Sequence, residues 1–362
     1  MAAGERVLAI NPGGMTTKIA VYDGDERVFE ATVTHTREEL AAFPSIAEQL
    51  PHRRDAVERA LREAGQLERP FDAVVGRGGL LRSIPSGTYT VNDALLEDAR
   101  TGYAGQHASN LGAPLAHAIA ADLGGRALIV DPVSVDEFEP LARYSGHAGI
   151  ERKSLGHALN TKATAKRTAR ALGRPLEELN LIVAHLGSGI SITPLRRGRM
   201  VDVNNAASGG PFSPERTGGL PLIEMLDFMT AHAVTIERMK KVITREGGLL
   251  SYLGTNDFRE VMRRVDAGDA KAGEVVRAMA YQVAKEIGAM AAVLSGRVDS
   301  IVLTGAMAHS EPFVELVRER VSFIAGVTVV PGENELESLA AGALEVLRGD
   351  ERPRAYPTGQ PS

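Results

Sequence analysis

Three glycine-bearing turns hold most of the residues in this chain that could do chemistry. The first, NPGGMTTK at 11–18, lies between two expected strands. Gly13 and Gly14 carry no side chain to keep an anion from the backbone N–H groups, while Asn11, Thr16, Thr17 and Lys18 add polar donors and a cation. Ordinary hairpin turns use the same residue types, so this loop alone is compatible with either role. The second turn, HLGSG at 185–189, follows His185 with Gly187, Ser188 and Gly189. Two such loops meeting from opposite sides of one cleft would suit a polyphosphate better than a monophosphate. The third, VLTGAMAHS at 302–310, ends a buried strand; Gly305 there would let the chain pass close to a flat base or ribose, or simply turn it from strand to helix. No GxxxxGK[ST] pattern occurs, and neither of the first two loops is followed by a helix, so this is not a Walker-type site.

The elements that must position these loops show an internal repeat. Residues 7–33 and 181–204 share one grammar: an apolar strand, a polar residue (Asn11, His185), a glycine turn, a second strand, a charged glycine turn and a third strand. The spacing predicts two similar α/β domains, 1–153 and 154–348, with mixed sheets flanked by helices and a cleft between them. Strand meanders followed by helices argue against a plain dinucleotide-binding fold. Ser154 is expected to cap a helix running to about Leu172, closed by Gly173 and Pro175. A long helix over 269–294 places Val276, Met279, Val283, Ile287, Met290 and Leu294 on one face. A last helix begins near Glu335 and is expected to pack back on the first domain. The proline-rich residues 349–362 are expected to be a frayed tail.

Composition excludes several classes. The 362 residues are 44% hydrophobic and carry a formal charge of −5, so no basic field would draw nucleic acid or an anionic membrane. There is no cysteine, which removes disulfides and thiolate metal sites. No apolar run approaches a membrane span, and the first one reads as a strand rather than a signal peptide, so a cytoplasmic location is expected.

Taken in order, the segments NPGGMTTKIAV, VVGRGGLL, IPSGTYTVNDALLED, HASNLGA, IVDPV, HALNTKA, IVAHLGSGIS, GPFSPERTGGLP, IVLTGAMA and PGENELESLAAGAL resemble the acetate and butyrate kinase family, within the class of actin, sugar kinases and chaperone ATPases. The resemblance runs from Val7 to about Leu347, and GTYTVNDA, HASNLGA and GPFSPER are worded more like the family's butyrate kinases. It implies direct transfer of a phosphoryl group between ATP and a short-chain carboxylate, giving an acyl phosphate and ADP, with Mg2+ and a homo-oligomeric assembly. Arg77 and Arg216 match the family's two cleft arginines, and a guanidinium can hold a carboxylate or phosphoryl group by paired bonds. His157 matches the histidine that stabilises the transferring group, and His107 a second histidine near the acyl group. Asn11 and Glu335, with Asp131 assisting, are the family's candidates for a hydrated Mg2+.

Three departures are visible. Gly14 and Met15 replace hydroxyl residues of the first loop, and Ala306 replaces a usual glycine. Gly156 stands before His157 where relatives have phenylalanine, which points to a roomier acyl site and a four- or five-carbon acid. The alternatives are an acetate or propionate kinase, a sugar kinase, which would need a carboxylate base beside its hydroxyl, and a non-catalytic actin-like ATP-binding protein.

Overall fold

A computed structural model describes residues 4–358. Its strands, in chain order, are β1 Arg6–Pro12, β2 Thr16–Asp23, β3 Glu26–Thr34, β4 Ala73–Arg77, β5 Thr88–Thr90, β6 Arg126–Val130, β7 Asn180–Leu186, β8 Ile190–Arg196, β9 Arg199–Met200, β10 Ser300–Gly305, β11 Val327–Pro331 and β12 Arg354–Ala355. The chain divides into two compact units, one of residues 1–136 with 334–362, the other of residues 137–333.

In the first unit the sheet order is β12-β5-β6-β4-β1-β2-β3; in the second it is β11-β10-β7-β8-β9. The repeat read from the sequence is present as topology. β1 pairs antiparallel with β2 and parallel with β4, and β4 pairs parallel with β6. In the second unit β7 pairs antiparallel with β8 and parallel with β10, and β10 pairs parallel with β11. Strands β1 and β10 are buried along their whole length and β7 from Leu181 onwards, as apolar runs covered on both faces should be.

The helix Ala270–Val293 covers the second sheet, and all six residues of its expected apolar face are buried. The helix Glu335–Arg348 belongs to the first unit and buries Leu336, Leu339, Ala340, Ala343 and Leu344. Gly342 lets it lie close to the sheet, because a Cβ there would meet Val130 Cγ2 at 2.7 Å.

Two expectations are corrected. Ser154 caps no helix: the helix spans Ala158–Leu172 with His157 at its N-cap position, where the backbone N–H of His157 donates to Ser191 Oγ (3.4 Å) rather than into a helical turn. Nor do residues 349–358 fray. β12 pairs parallel with β5, and Tyr356 is buried, its hydroxyl donating to Asp98 (2.8 Å) and accepting from the Arg82 N–H (2.9 Å). One aromatic ring and one edge strand are enough to fix this polar segment. Residues 359–362 of that expected tail lie outside the described residues.

Candidate functional site

In the first unit, parallel pairing brings the C-terminal ends of β1 and β4 side by side, and the helix Glu335–Arg348 starts beside them. This gathers Asn11, Arg77 and Glu335. Arg77 Nη1 bridges to Glu335 Oε1 (2.6 Å) and donates to Asn11 Oδ1 (3.4 Å), and Asn11 Nδ2 donates to Glu335 Oε2. A guanidinium, a carboxylate and an amide so interlocked form a polar centre that is half-buried at its charged members. The glycines around Arg77 serve packing first. A Cβ on Gly76 would overlap the Gly112 carbonyl, one on Gly112 would overlap the Arg77 carbonyl, and one on Gly79 would come 2.6 Å from Asn110 Cα. Backbone thus lies directly on backbone, and Arg77 is held by that approach.

The loop between β1 and β2 is closed by a hydrogen bond from Gly13 N–H to Thr16 O (2.7 Å). Gly14, Met15 and Lys18 are exposed, whereas Thr17 is fully buried. The Thr17 hydroxyl lies 2.9 Å from His35 Nε2 and accepts from Arg53 (3.1 Å), so it supports the loop from within instead of facing an anion. Burial, and after it the positive charge of Arg53, push the His35 pKa down from 6.5 to about 4. With the folded value depressed, the unfolded chain takes up this proton first, so the stability contribution is complete above about pH 6.5 and is lost as pH falls towards 4. The thermal midpoint of the wild type should therefore fall more steeply across that window than that of His35→Gln; parallel curves would remove His35 from the account.

In the second unit the cross-strand register sets His185 directly opposite Ser191. His157, entering its helix above them, stacks its ring on His185 (centroids 3.8 Å apart, 16° between planes) and places Nδ1 2.8 Å from Ser191 Oγ. His185 Nδ1 lies 2.9 Å from Asn160 Oδ1 and its Nε2 3.4 Å from Glu333 Oε1. The HLGSG loop exposes Ser188 between buried Gly187 and Gly189. Arg216 lies against that loop: a Cβ on Gly189 would come 2.6 Å from its Cζ. Its Nη1 donates to Ala206 O (2.6 Å), its Nε is buried with no hydrogen-bond partner, and no carboxylate pairs with it among the described residues. Ser213 ties the Arg216 turn to the loop, its hydroxyl donating to Ser188 O (2.5 Å) and accepting from Arg216 N–H (3.2 Å).

Other singled-out residues have structural tasks. His107 caps a helical turn, its Nδ1 accepting from Ser109 N–H (3.2 Å). Asp131 Oδ1 accepts from Ser86 Oγ (2.6 Å) and Gly87 N–H (2.8 Å). Gly305, at φ 89°, passes the Leu186 backbone so closely that a Cβ would meet its nitrogen at 2.7 Å; the glycine is required by this crossing. A Cβ on Gly156 would lie 3.1 Å from Val203 Cγ2, so Val203 takes much of the space an aromatic ring would claim. Arg53, Ser191 and Ser213 were not singled out by sequence.

A family model of the acetokinase family matches residues 142–344. The chain is also 49% identical over 351 residues to a protein of Caldanaerobacter subterraneus subsp. tengcongensis described as probable butyrate kinase 2, covering 97% of this chain and 99% of that one. The chain belongs to the acetokinase family. Its fold is that of an acetate kinase from Porphyromonas gingivalis (TM-score 0.79, 17% identity, 95% of this chain and 100% of that one). A propionate kinase from Francisella tularensis gives a TM-score of 0.75 at 17% identity, over 92% of this chain and 98% of that one. The actin-like duplication expected from the sequence is thus the fold of this acetokinase family member.

Proposed function

We propose that this protein transfers the γ-phosphoryl group of ATP to butyrate or a branched four- or five-carbon acid, and back from the acyl phosphate to ADP. Membership of a carboxylate kinase family stands behind this reading, and the near full-length match to a probable butyrate kinase favours the longer acids. The observation that carries it is Arg216, a guanidinium held against a glycine loop, its Nε without a hydrogen-bond partner. No carboxylate lies at ion-pair distance from it among the described residues, Glu215 attracting it only from further off. Such a cation suits an anionic phosphoryl group.

The chemistry asks little of the protein beyond placement and charge. A carboxylate is already an anion, so attack on the γ-phosphorus needs no general base. What opposes it is repulsion between the acid and the triphosphate, which fixed guanidinium groups offset most as charge spreads over the equatorial oxygens. In this reading Arg77 holds the acid, Arg216 meets the transferring group, and His157 donates to it, its ring fixed by Ser191 and His185. The loops at 11–18 and 185–189 hold the phosphates. Asn11 and Glu335 offer one amide and one carboxylate, the hard-oxygen set of an ion that keeps most of its water, and would hold a hydrated Mg2+. Asp131, its Oδ1 held by Ser86 and Gly87, would assist there. Bound Mg2+ would neutralise charge on the β- and γ-phosphates.

A hydroxamate assay of acyl phosphate formation across acetate, propionate, butyrate, isobutyrate and isovalerate tests the reaction and the acid together. Two further buried methylenes at about 0.8 kcal/mol each would favour butyrate over acetate in kcat/KM by about tenfold. Equal or reversed preference makes this an acetate or propionate kinase, and no hydroxamate with any acid overturns the reading.

A cytoplasmic location, where ATP is available, is part of the same proposal. We also propose a homo-oligomer: the helix Leu222–Ala231 buries none of its residues, and Leu222, Ile223, Leu226 and Phe228 are 70%, 67%, 53% and 47% exposed.

A further inference from the structure

Beneath the loop at 11–18 lies a charge that the reading above leaves unused. Arg53, on the helix Leu50–Glu63, is 1% exposed. No carboxylate pairs with it among the described residues, and burial pulls its pKa down. All its hydrogen bonds go to neutral oxygens. Nε donates to Gln49 Oε1 (3.1 Å), Nη2 to Gly14 O (2.8 Å), and Nη1 to Gly13 O (2.9 Å), Thr17 Oγ1 (3.1 Å) and Thr16 O (3.2 Å). An uncompensated buried charge is expensive, and an apolar side chain of similar volume would fill the space without that cost. What the guanidinium adds is geometry and charge.

The geometry follows from peptide planarity. In a trans peptide the C=O and the next N–H point in opposite directions, and the described chain has no cis bond. By drawing the carbonyls of Gly13 and Gly14 inward, Arg53 turns the N–H groups of Gly14 and Met15 towards the exposed side of the loop. Successive N–H groups so directed form an anion-binding concavity. The positive charge sits directly behind it, where water cannot screen it. We propose that Arg53 is a positioning residue for the nucleotide's phosphates, presetting this concavity and supplying part of its attraction. The proposal rests on reading the 11–18 loop as a phosphate site.

The test compares Arg53→Lys, which keeps the charge, with Arg53→Met, which does not, in the full chain, with folding checked by circular dichroism. Steady-state KM for ATP and for butyrate, and displacement of ADP by inorganic tripolyphosphate, are the readouts. Arg53→Met should raise the ATP KM and weaken tripolyphosphate binding by about tenfold or more, with the butyrate KM within about twofold of wild type. Arg53→Lys should lie between. A folded Arg53→Met with wild-type ATP KM overturns the proposal, as do equal losses in the two variants or an equal rise in the butyrate KM. Should Arg53→Met not fold, Arg53→Lys should by itself raise the ATP KM and weaken tripolyphosphate binding severalfold with the butyrate KM unchanged, and an Arg53→Lys variant indistinguishable from wild type overturns the proposal. Lys18→Ala and Thr16→Val separate the two levels. If they raise the ATP KM while the Arg53 variants do not, the Arg53 proposal alone fails; if they too are silent, the loop reading fails with it.

Discussion

Replacing Arg216 with alanine should lower kcat by roughly two to three orders of magnitude while changing the KM for ATP far less. A fixed donor aimed at charge that grows in the transition state contributes about 3–4 kcal/mol there and little to ground-state binding. The geometry gives reasons for a large effect. The guanidinium lies on Gly189, one nitrogen is anchored to Ala206 O at 2.6 Å, and the turn that carries it is tied through Ser213 to Ser188. Among the described residues no carboxylate forms an ion pair with it, and Glu215 acts on it only from further off. Lysine would keep the charge but lose the planar fork that rests on the glycine, so Arg216→Lys should recover only part of the loss. Turnover by hydroxamate formation, with a melting curve for each variant, checks this. A folded Arg216→Ala enzyme of near-normal kcat would take Arg216 out of the chemistry.

The second large effect is on the scaffold. Gly112→Ala should destabilise the first unit by about 3 kcal/mol, at the upper end of what overpacking costs, because the new methyl would overlap the Arg77 carbonyl. That corresponds to a drop of roughly 10 °C in Tm for a unit of this size. Activity should fall further than the folded fraction does, since the clash is with the peptide of Arg77 itself. Gly288→Ala is the control. Nothing lies within 4 Å of a Cβ there, and Gly288 sits inside the helix Ala270–Val293, so the change should be neutral or add up to about 1 kcal/mol. A Gly112→Ala protein that melts with the wild type would show that the helix Gly112–Leu123 and β4 separate more freely than their contact implies.

The strands and their repetition were legible because each is an apolar run between turn residues, and the second copy restates the first. The two meanders are the part of each sheet that the sequence shows; that β4 and β6 join the first and β10 and β11 the second, in matching order, is seen only in the fold. Contacts between distant segments were not legible. Nothing in VGRGG itself shows that Gly76 and Gly79 answer to Gly112 and Asn110, more than thirty positions along. Arg53 stands beside Arg54 in a helix with charges on several faces; only the loop folding over it makes one arginine buried and leaves the other in a surface ion pair with Glu58. The polar residues around Tyr356 hid a single anchoring ring. The start of the helix at Ala158 was misplaced because Ser154 is a good cap by type, whereas the backbone of His157 is claimed by a strand thirty-four residues on.

The first unit is built from both ends of the chain, and the order of synthesis makes that matter. Its sheet lacks the edge strand Arg354–Ala355, and its apolar face lacks the helix Glu335–Arg348, until the last residues have been made. Residues 137–333 form the other unit without interruption and can close while still tethered to the ribosome. The N-terminal 136 residues, although made first, must wait with the sheet face of Val7 and Ala9 uncovered; Leu8 and Ile10, on the opposite face, already have Val57, Leu61, Leu111 and Leu115 packed on them. Ribosome-bound chains truncated before Glu335 should therefore hold a folded middle and an exposed beginning. That beginning is where a nascent-chain chaperone would find its binding surface.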